Sequence, residues 1–276
     1  SLTHCATHGG RSRHFAELTG AGSRKIVMCA AGNSFLPPCH KILKNMPTYL
    51  ILEVAVDSLP RALAAERAGA HRLELCADLS VGGLTPGLEL LRQVRSAVRI
   101  PIHAMVRPRP GDFVYSAIEF AEMKSWIKMI AVENVEGIVT GVLLPDGRVD
   151  VPRTTELVAL ASPMQVTFHR AFDETNDLAE ALQNVILTGA HRILTSGGAT
   201  NAQTGATILW SLIHQAANRI TILPGGGLHP RNIAEVARAT GARELHTGLG
   251  EVIPYSSPDT ATFESAVRDC VANLRA

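Results

Sequence analysis

Six side chains able to do chemistry lie within or directly after short apolar runs of the sequence. Side chains alternate along a β-strand, so residues two positions apart share a face. In these runs the opposite face is largely apolar, and the polar face collects Glu53, Glu74, Cys76, Arg107, His169 and His246. Because interacting carboxylates and imidazoles have shifted pKa values, the predicted catalytic residues of an acid–base site are Glu53, Glu74, His169 and His246.

The elements that must position these groups recur with a period. Between about residues 52 and 249, eight short apolar runs alternate with longer segments of helical character. Parallel strands need a crossover connection, so the alternation predicts an α/β fold with a parallel sheet. Eight such units in roughly 200–250 residues match a single (β/α)8 TIM barrel, whose chemistry lies at the C-terminal ends of the strands. The predicted strands are 52–56, 72–76, 102–106, 137–142, 166–169, 192–195, 220–223 and 244–248.

The polar set also has a purely structural interpretation. Charged side chains inside a protein must be paired, or each costs several kcal/mol. Two carboxylates facing an arginine and two histidines could simply neutralise one another. Barrel interiors are ordinarily filled by Val, Ile and Leu, so five ionisable groups there favour a ligand site. The two histidines could also join Glu53 and Glu74 around a divalent metal, although barrel histidines are often only hydrogen-bonded core residues.

The segments that follow the predicted strands offer groups for binding an anion. Arg107 and Arg109 suit bidentate contacts with an anion. Backbone amides of glycine turns can hold a phosphate, most often after the seventh and eighth strands of a barrel. The predicted anion-binding residues of these turns are Ser196, Gly197, Gly225, Gly226 and Gly227. Glycine turns also serve merely to reverse the chain, and both interpretations remain open from the sequence.

Composition and missing motifs disfavour several classes of protein. A chain of 276 residues with 46% hydrophobic and 18% charged residues is typical of a globular protein with a large core. No apolar run is long enough to predict a membrane span, and the net charge of +1 gives no reason to expect nucleic acid. After residue 46 the only lysines are Lys124 and Lys128, both in a predicted helix, so a Schiff-base mechanism is disfavoured. No organic cofactor is evident.

Residues 1–46 fit none of these patterns and are predicted to be an N-terminal extension, with one barrel domain over residues 47–276. The extension is basic and poor in acids, as organelle transit segments are. Cys29, Cys39 and His40 leave open a metal-binding appendage, although they lack the close pairing of a zinc knuckle. We favour a third interpretation, in which the extension is disordered or foreign to the native domain, because its final methionine leads directly into the first predicted strand.

Seven segments, in order and in register with the predicted strands, resemble the successive motifs of the copper homeostasis protein CutC family. The resemblance covers about residues 50–250 and does not extend to the first 46 residues. The segments are LEVAVDS (52–58), RLELC (72–76), GGLTP (82–86), RPRPGDF (107–113), VTFHRAFD (166–173), LTSG (194–197) and PGGG (224–227).

The resemblance implies a cytoplasmic barrel protein linked to copper tolerance, often a homodimer or homotetramer. It also implies copper(I) binding through cysteines inside the barrel. Cys76 stands at one of the two proposed cysteine positions, whereas Ala55 occupies the other. Copper(I) prefers soft thiolate or thioether ligands. The expected metal ligand is therefore Cys76, with Met105 or His169 as helpers, and the site is expected to be weaker than one with two thiolates.

Two functions from different classes follow. The first is cytoplasmic copper homeostasis, with copper(I) bound inside or at the mouth of the barrel. The alternative is a barrel enzyme, a lyase, isomerase or hydrolase, acting on a small anionic or phosphorylated substrate. In that case Glu53, Glu74 and His169 supply acid–base groups, and Arg107 and Arg109 hold the anion. A third interpretation is a scaffold whose helices form an oligomer without a small ligand.

Overall fold

The computed structural model describes residues 50–275, and this part of the chain folds as a (β/α)8 barrel. Eight parallel strands lie in the order β7-β6-β5-β4-β3-β2-β1-β8, so the first strand pairs with both the second and the eighth. The sheet is thereby nearly closed, and the prediction of a single TIM barrel is confirmed. The predicted extension, residues 1–46, lies outside the described residues.

The elements alternate along the chain as the period predicts. The strands are β1 (Ile51–Val56), β2 (Arg72–Leu75), β3 (Ile102–Met105), β4 (Gly137–Thr140), β5 (Gln165–Phe168), β6 (Arg192–Thr195), β7 (Thr221–Pro224) and β8 (Glu244–Thr247). The α-helices are α1 (Leu59–Arg67), α2 (Leu88–Ala97), α3 (Ala117–Ala131), α4 (Val151–Ala161), α5 (Leu178–Thr188), α6 (Ala206–Ala216), α7 (Ile233–Thr240) and α8 (Thr260–Arg275). Short 3₁₀ helices follow β2 (Leu79–Val81) and β5 (Arg170–Glu174).

Local side-chain chemistry fixes where several helices begin. Ser116 and Glu119 form a reciprocal capping box at the start of α3, each side chain bonding the backbone N–H of the other residue. The carboxylates of Asp150 and Asp177 accept backbone N–H groups at the starts of α4 and α5. These caps satisfy N–H groups that have no partner within the helix.

The apolar core lies between the sheet and the surrounding helices. On the outward face of the strands, Leu52, Val54, Leu73, Ile102 and Ile138 are fully buried. Removing this apolar face from water is the main favourable contribution to folding. The inward face of the strands is therefore free to carry polar groups, which must satisfy one another or a ligand.

The register of the strands brings the inward polar residues side by side. Glu53 is the register partner of Arg72 on one side and of His246 on the other, and Glu74 is the partner of His103. Glycine makes room for the rings: a Cβ at Gly137 would lie 2.6 Å from Cδ2 of His103. Within residues 50–275, no helix is both long and apolar enough to cross a membrane.

Candidate ligand site at the barrel mouth

A cavity of about 510 Å³ opens at the C-terminal ends of the strands, where barrel active sites lie. It is lined by six of the predicted site residues, Glu74, Arg107, His169, Gly226, Gly227 and His246. Two others lie beneath it. Glu53 is fully buried and contacts His246, and Cys76 is fully buried beside Glu74. The structure therefore brings all the predicted acid–base groups together.

Glu53 is the central carboxylate of the barrel interior. One of its oxygens accepts a hydrogen bond from Nε of Arg72, and the other lies 2.8 Å from Nδ1 of His246. Burial alone would raise the pKa of Glu53, but Arg72 and His246 outweigh it and hold that pKa well below its usual value. Glu53 is therefore an ionised carboxylate that fixes the orientation of the His246 ring.

A network of opposite charges continues below Glu53. Arg72 also donates to Glu244, at 2.7 Å, and Glu244 accepts a further hydrogen bond from Nε of Arg192, at 2.8 Å. Sequence reasoning missed these three residues, although Arg72 shares the inward face of its strand with Glu74. Because each charge faces an opposite charge, this lower layer fits the structural interpretation, with Glu53 joining it to the cavity.

Glu74 and His246 form the wall of the cavity above that layer. Oε2 of Glu74 lies 3.7 Å from Nε2 of His246 and accepts the S–H of Cys76 at 3.6 Å. Burial raises the pKa of Glu74. Burial would lower the pKa of His246, but the carboxylates of Glu74 and Glu53 outweigh it and raise that pKa. This carboxylate–imidazole pair can therefore exchange a proton with a ligand in the cavity.

Two carboxylates and one imidazole lie close enough together to surround a metal ion. One ligand atom each from Glu53, Glu74 and His246 lies within 4.8 Å of the others. Oxygen and imidazole donors suit divalent ions better than copper(I). Both oxygens of Glu53 already have partners in Arg72 and His246. This trio therefore fits an ion pair network better than a metal centre.

Two sulfur-containing side chains meet in a separate small apolar cluster. Cys76 and Met105 pack there with Ala55, Leu79 and Val139. A Cβ at Gly83 would lie 2.9 Å from Sγ of Cys76 and 3.4 Å from Cε of Met105, so both side chains approach the same point. Burial, followed by Glu74, raises the pKa of the Cys76 thiol well above its usual value. The donors are soft, as copper(I) prefers, but only one of them is a thiol.

His169 lies on the opposite side of the cavity as a neutral imidazole. Its Nδ1 accepts the backbone N–H of Ala171 at 3.2 Å, which places the ring proton on Nε2. Burial, with a smaller contribution from Arg107, lowers the pKa of His169 to about 3. Nε2 is buried and has no hydrogen-bond partner within residues 50–275. Nε2 of His169 is thus a hydrogen-bond donor without an acceptor among residues 50–275.

The two arginines predicted to hold an anion make other contacts. Arg107 lines the cavity, but its guanidinium donates to the backbone carbonyls of Val81, Gly83 and Gly111 and holds two loops together. Arg109 pairs with Asp112 and Glu119 and does not line the cavity. Sequence reasoning placed both near the strand end but could not foresee these loop acceptors.

Some residues of the predicted glycine turns line the cavity and others do not. Ser196, Gly197 and Gly225 do not line the cavity; Ser196 instead bonds Asp173, and Gly197 donates to Thr195. The polar lining side chains that sequence reasoning missed are Arg170, Glu174, Glu251 and Tyr255. One signal was available, because Arg170 directly follows the predicted site residue His169 at the end of β5.

Comparison with known proteins shows the family to which the chain belongs. The CutC family model matches residues 50–251 of the chain. The chain belongs to the CutC family. A family protein CutC of Chromobacterium violaceum is 46% identical over 196 residues, which cover 71% of this chain and 79% of the relative. The copper homeostasis protein cutC homolog of Homo sapiens is 43% identical over 196 residues, covering 71% and 72% of the two chains.

A solved structure carries the same CutC fold. The crystal structure of a CutC protein from Streptococcus agalactiae is similar with a TM-score of 0.69 and 26% sequence identity. It covers 72% of this chain and 98% of that chain. The barrel fold is therefore that of the CutC copper homeostasis family.

Proposed function

We propose that this CutC family chain serves copper homeostasis by holding copper(I) inside the barrel, with the Cys76 thiolate and the Met105 thioether as ligands. Copper is the cargo in this account. The proposal rests on one observation, the approach of both side chains to the same point above Gly83. The printed name of the human relative, copper homeostasis protein cutC homolog, supports it. A cytoplasmic location and a homodimer or homotetramer belong to the same proposal.

Ala55 sets the expected strength of this site. It packs in the cluster that contains Cys76 and Met105, where a second thiol would add a ligand. One thiolate with one thioether gives copper(I) two soft donors. This pair carries one negative charge, whereas two thiolates would carry two. We therefore expect reversible binding, which suits a protein that passes copper on rather than storing it.

The test is a titration of the full chain with copper(I), without oxygen, against a competing chelator. Cys5, Cys29 and Cys39 are first replaced by serine, so that thiols outside the described residues do not bind the metal. On that background, Cys76→Ser is expected to abolish stoichiometric binding, whereas Cys270→Ser, at a buried thiol on α8, leaves it unchanged. Equal binding by the two variants would contradict the proposal.

A second candidate is an acid–base enzyme, favoured by the contact between Glu53 and His246. A buried carboxylate at Nδ1 fixes the tautomer and orientation of an imidazole whose Nε2 lies near Glu74. Such a group can move a proton to or from a small substrate in the cavity. The test is turnover of a library of small hydroxy and carbonyl compounds. Activity lost in His246→Gln but kept in His214→Gln, at an exposed histidine of α6, would support this candidate.

A further inference from the structure

We propose that the barrel mouth binds a small hydroxylated oxyanion of the phosphate monoester class. Its anionic group is held by Arg170 and the backbone amides of Gly226 and Gly227, and its hydroxyl end faces His169 and Glu74. All five residues line the same cavity. Met105 lines the same cavity and Cys76 contacts Glu74, but the groups that hold the anion do not include either sulfur, and anion binding needs no copper.

Two nitrogens of the Arg170 guanidinium donate hydrogen bonds to neighbouring side chains, and the third nitrogen does not. Its Nε donates to Asp173 at 2.8 Å and its Nη2 to Ser196 Oγ at 3.1 Å. Nη1 makes no hydrogen bond to any residue between 50 and 275. Asp173 is itself shared among several donors, including the backbone N–H groups of Ser196 and Gly198. A fixed guanidinium with a free edge is suited to bidentate contact with an oxyanion.

The glycine turn after β7 lies against that free edge. A Cβ at Gly226 would lie 3.2 Å from Nη1 of Arg170, so the guanidinium lies close to the backbone of this turn. Gly226 and Gly227 have φ values of +91° and +71°. In the described part of the chain, neither amide N–H donates to another residue. Consecutive free amides beside an arginine are groups that can bind an anion.

Two buried polar atoms, on two residues that line the cavity, independently point to a ligand. Nε2 of His169 and Oε1 of Glu74 have no hydrogen-bond partner among residues 50–275, although each of the two residues is only 3% exposed. Leaving one such atom unsatisfied costs about 1–3 kcal/mol. One is a donor and the other an acceptor. A ligand hydroxyl can accept a hydrogen bond from Nε2 of His169 or donate one to Oε1 of Glu74.

Acidic residues at the rim limit which anions fit. Glu174 and Glu251 also line the cavity, and Cγ of Glu251 lies 3.8 Å from the position of a Cβ on Gly227. Their charges repel an anion, so the bound group must gain its affinity from direct contacts rather than from the general field. Removing the Glu251 charge is therefore expected to strengthen anion binding.

The test follows the amide signals of Gly226 and Gly227 by NMR while glycerol phosphate or inorganic phosphate is added to the copper-free full chain. Both signals are expected to shift and to saturate, with glycerol phosphate binding more tightly than inorganic phosphate. Arg170→Gln is expected to weaken binding by about tenfold or more, and Arg170→Lys, which keeps the charge, by less. Arg148→Gln, at an exposed arginine paired with Asp146, is the matched control and leaves binding unchanged.

Two further variants test the ends of the ligand separately. Glu251→Gln is expected to tighten the binding of both compounds by a few fold, because a repelling charge is removed. His169→Gln is expected to weaken glycerol phosphate more than inorganic phosphate. The proposal is overturned if neither glycine signal shifts at tens of millimolar ligand, or if Arg170→Gln, Arg170→Lys and Arg148→Gln bind alike. Copper(I) binding at Cys76 stands or falls separately, because the NMR experiment contains no copper.

Discussion

Oε1 of Glu53 lies 2.8 Å from Nδ1 of His246, and this contact joins the first strand of the barrel to the last. The other oxygen of Glu53 accepts a hydrogen bond from Arg72 on the second strand. One buried carboxylate thus links three neighbouring strands and orients the imidazole that lines the cavity. The charge of Glu53 therefore both stabilises the fold and positions a residue of the site.

Neutralising Glu53 is expected to destabilise the barrel strongly. Glu53→Gln leaves Arg72 with only Glu244 as a partner, and breaking a buried pair in this way costs about 3–5 kcal/mol. The free energy of unfolding in denaturant measures the effect. Glu156→Gln, at an exposed pair with Lys124, is the control and is expected to cost less than about 1 kcal/mol. Similar losses in the two variants would refute the central role of Glu53.

A methyl group at position 137 is expected to clash with His103, the buried histidine of β3. A Cβ at Gly137 would lie 2.6 Å from Cδ2 of His103 and 2.9 Å from the carbonyl oxygen of Gln165. Gly137→Ala should therefore lower the free energy of unfolding by about 1–3 kcal/mol, as overpacking does. Gly87→Ala, where a Cβ meets nothing within 4 Å, is the matched control. Equal stability of the two variants would mean that the ring can move aside.

These interior contacts mark the limit of what the sequence could predict. Alternation along each strand placed Glu53, Glu74 and His246 on the inward face, because that property is local to each strand. The pairing of Glu53 with Arg72 depends on the register between strands, which no single segment encodes. The contacts of the loop arginines were harder still to predict, because Arg109 and Arg170 are both arginines that follow a strand closely in the sequence. Only the folded chain shows that Arg109 pairs with Glu119 and that Arg170 lines the cavity.

His169 is expected to make stability depend on pH. Its pKa is lowered from 6.5 to about 3 in the folded protein, mainly by burial. Above pH 6.5 the His169 side chain is neutral in both the folded and the unfolded protein. Between pH 6.5 and 3 this side chain binds a proton in the unfolded chain but not in the folded one. Stability should fall through this window by up to about 1.4 kcal/mol per pH unit from this residue.

The measurement is denaturant unfolding at several pH values between 7 and the acid limit of folding. His169→Gln is expected to show a shallower loss of stability with falling pH than the wild type. His214→Gln, at an exposed histidine, keeps the wild-type slope. An unchanged slope in His169→Gln would show that His169 is protonated in the folded protein or is not buried in solution.

Restoring a second thiol is expected to strengthen copper(I) binding. Ala55 is 2% exposed and packs in the cluster with Cys76 and Met105, so Ala55→Cys adds a soft ligand where one is missing. We expect the affinity to rise by about tenfold or more, measured by chelator competition. Ala55→Ser, which adds an oxygen of similar size, is the control. A gain no larger than that of serine would place the copper elsewhere.

X-ray absorption spectroscopy of the copper(I)-loaded full chain, with Cys5, Cys29 and Cys39 replaced by serine, tests the central claim most directly. The account predicts sulfur as the neighbouring atom of copper, with one sulfur lost in Met105→Leu and no stoichiometric loading in Cys76→Ser. A copper ion surrounded only by nitrogen and oxygen, or a spectrum unchanged by both substitutions, would contradict it.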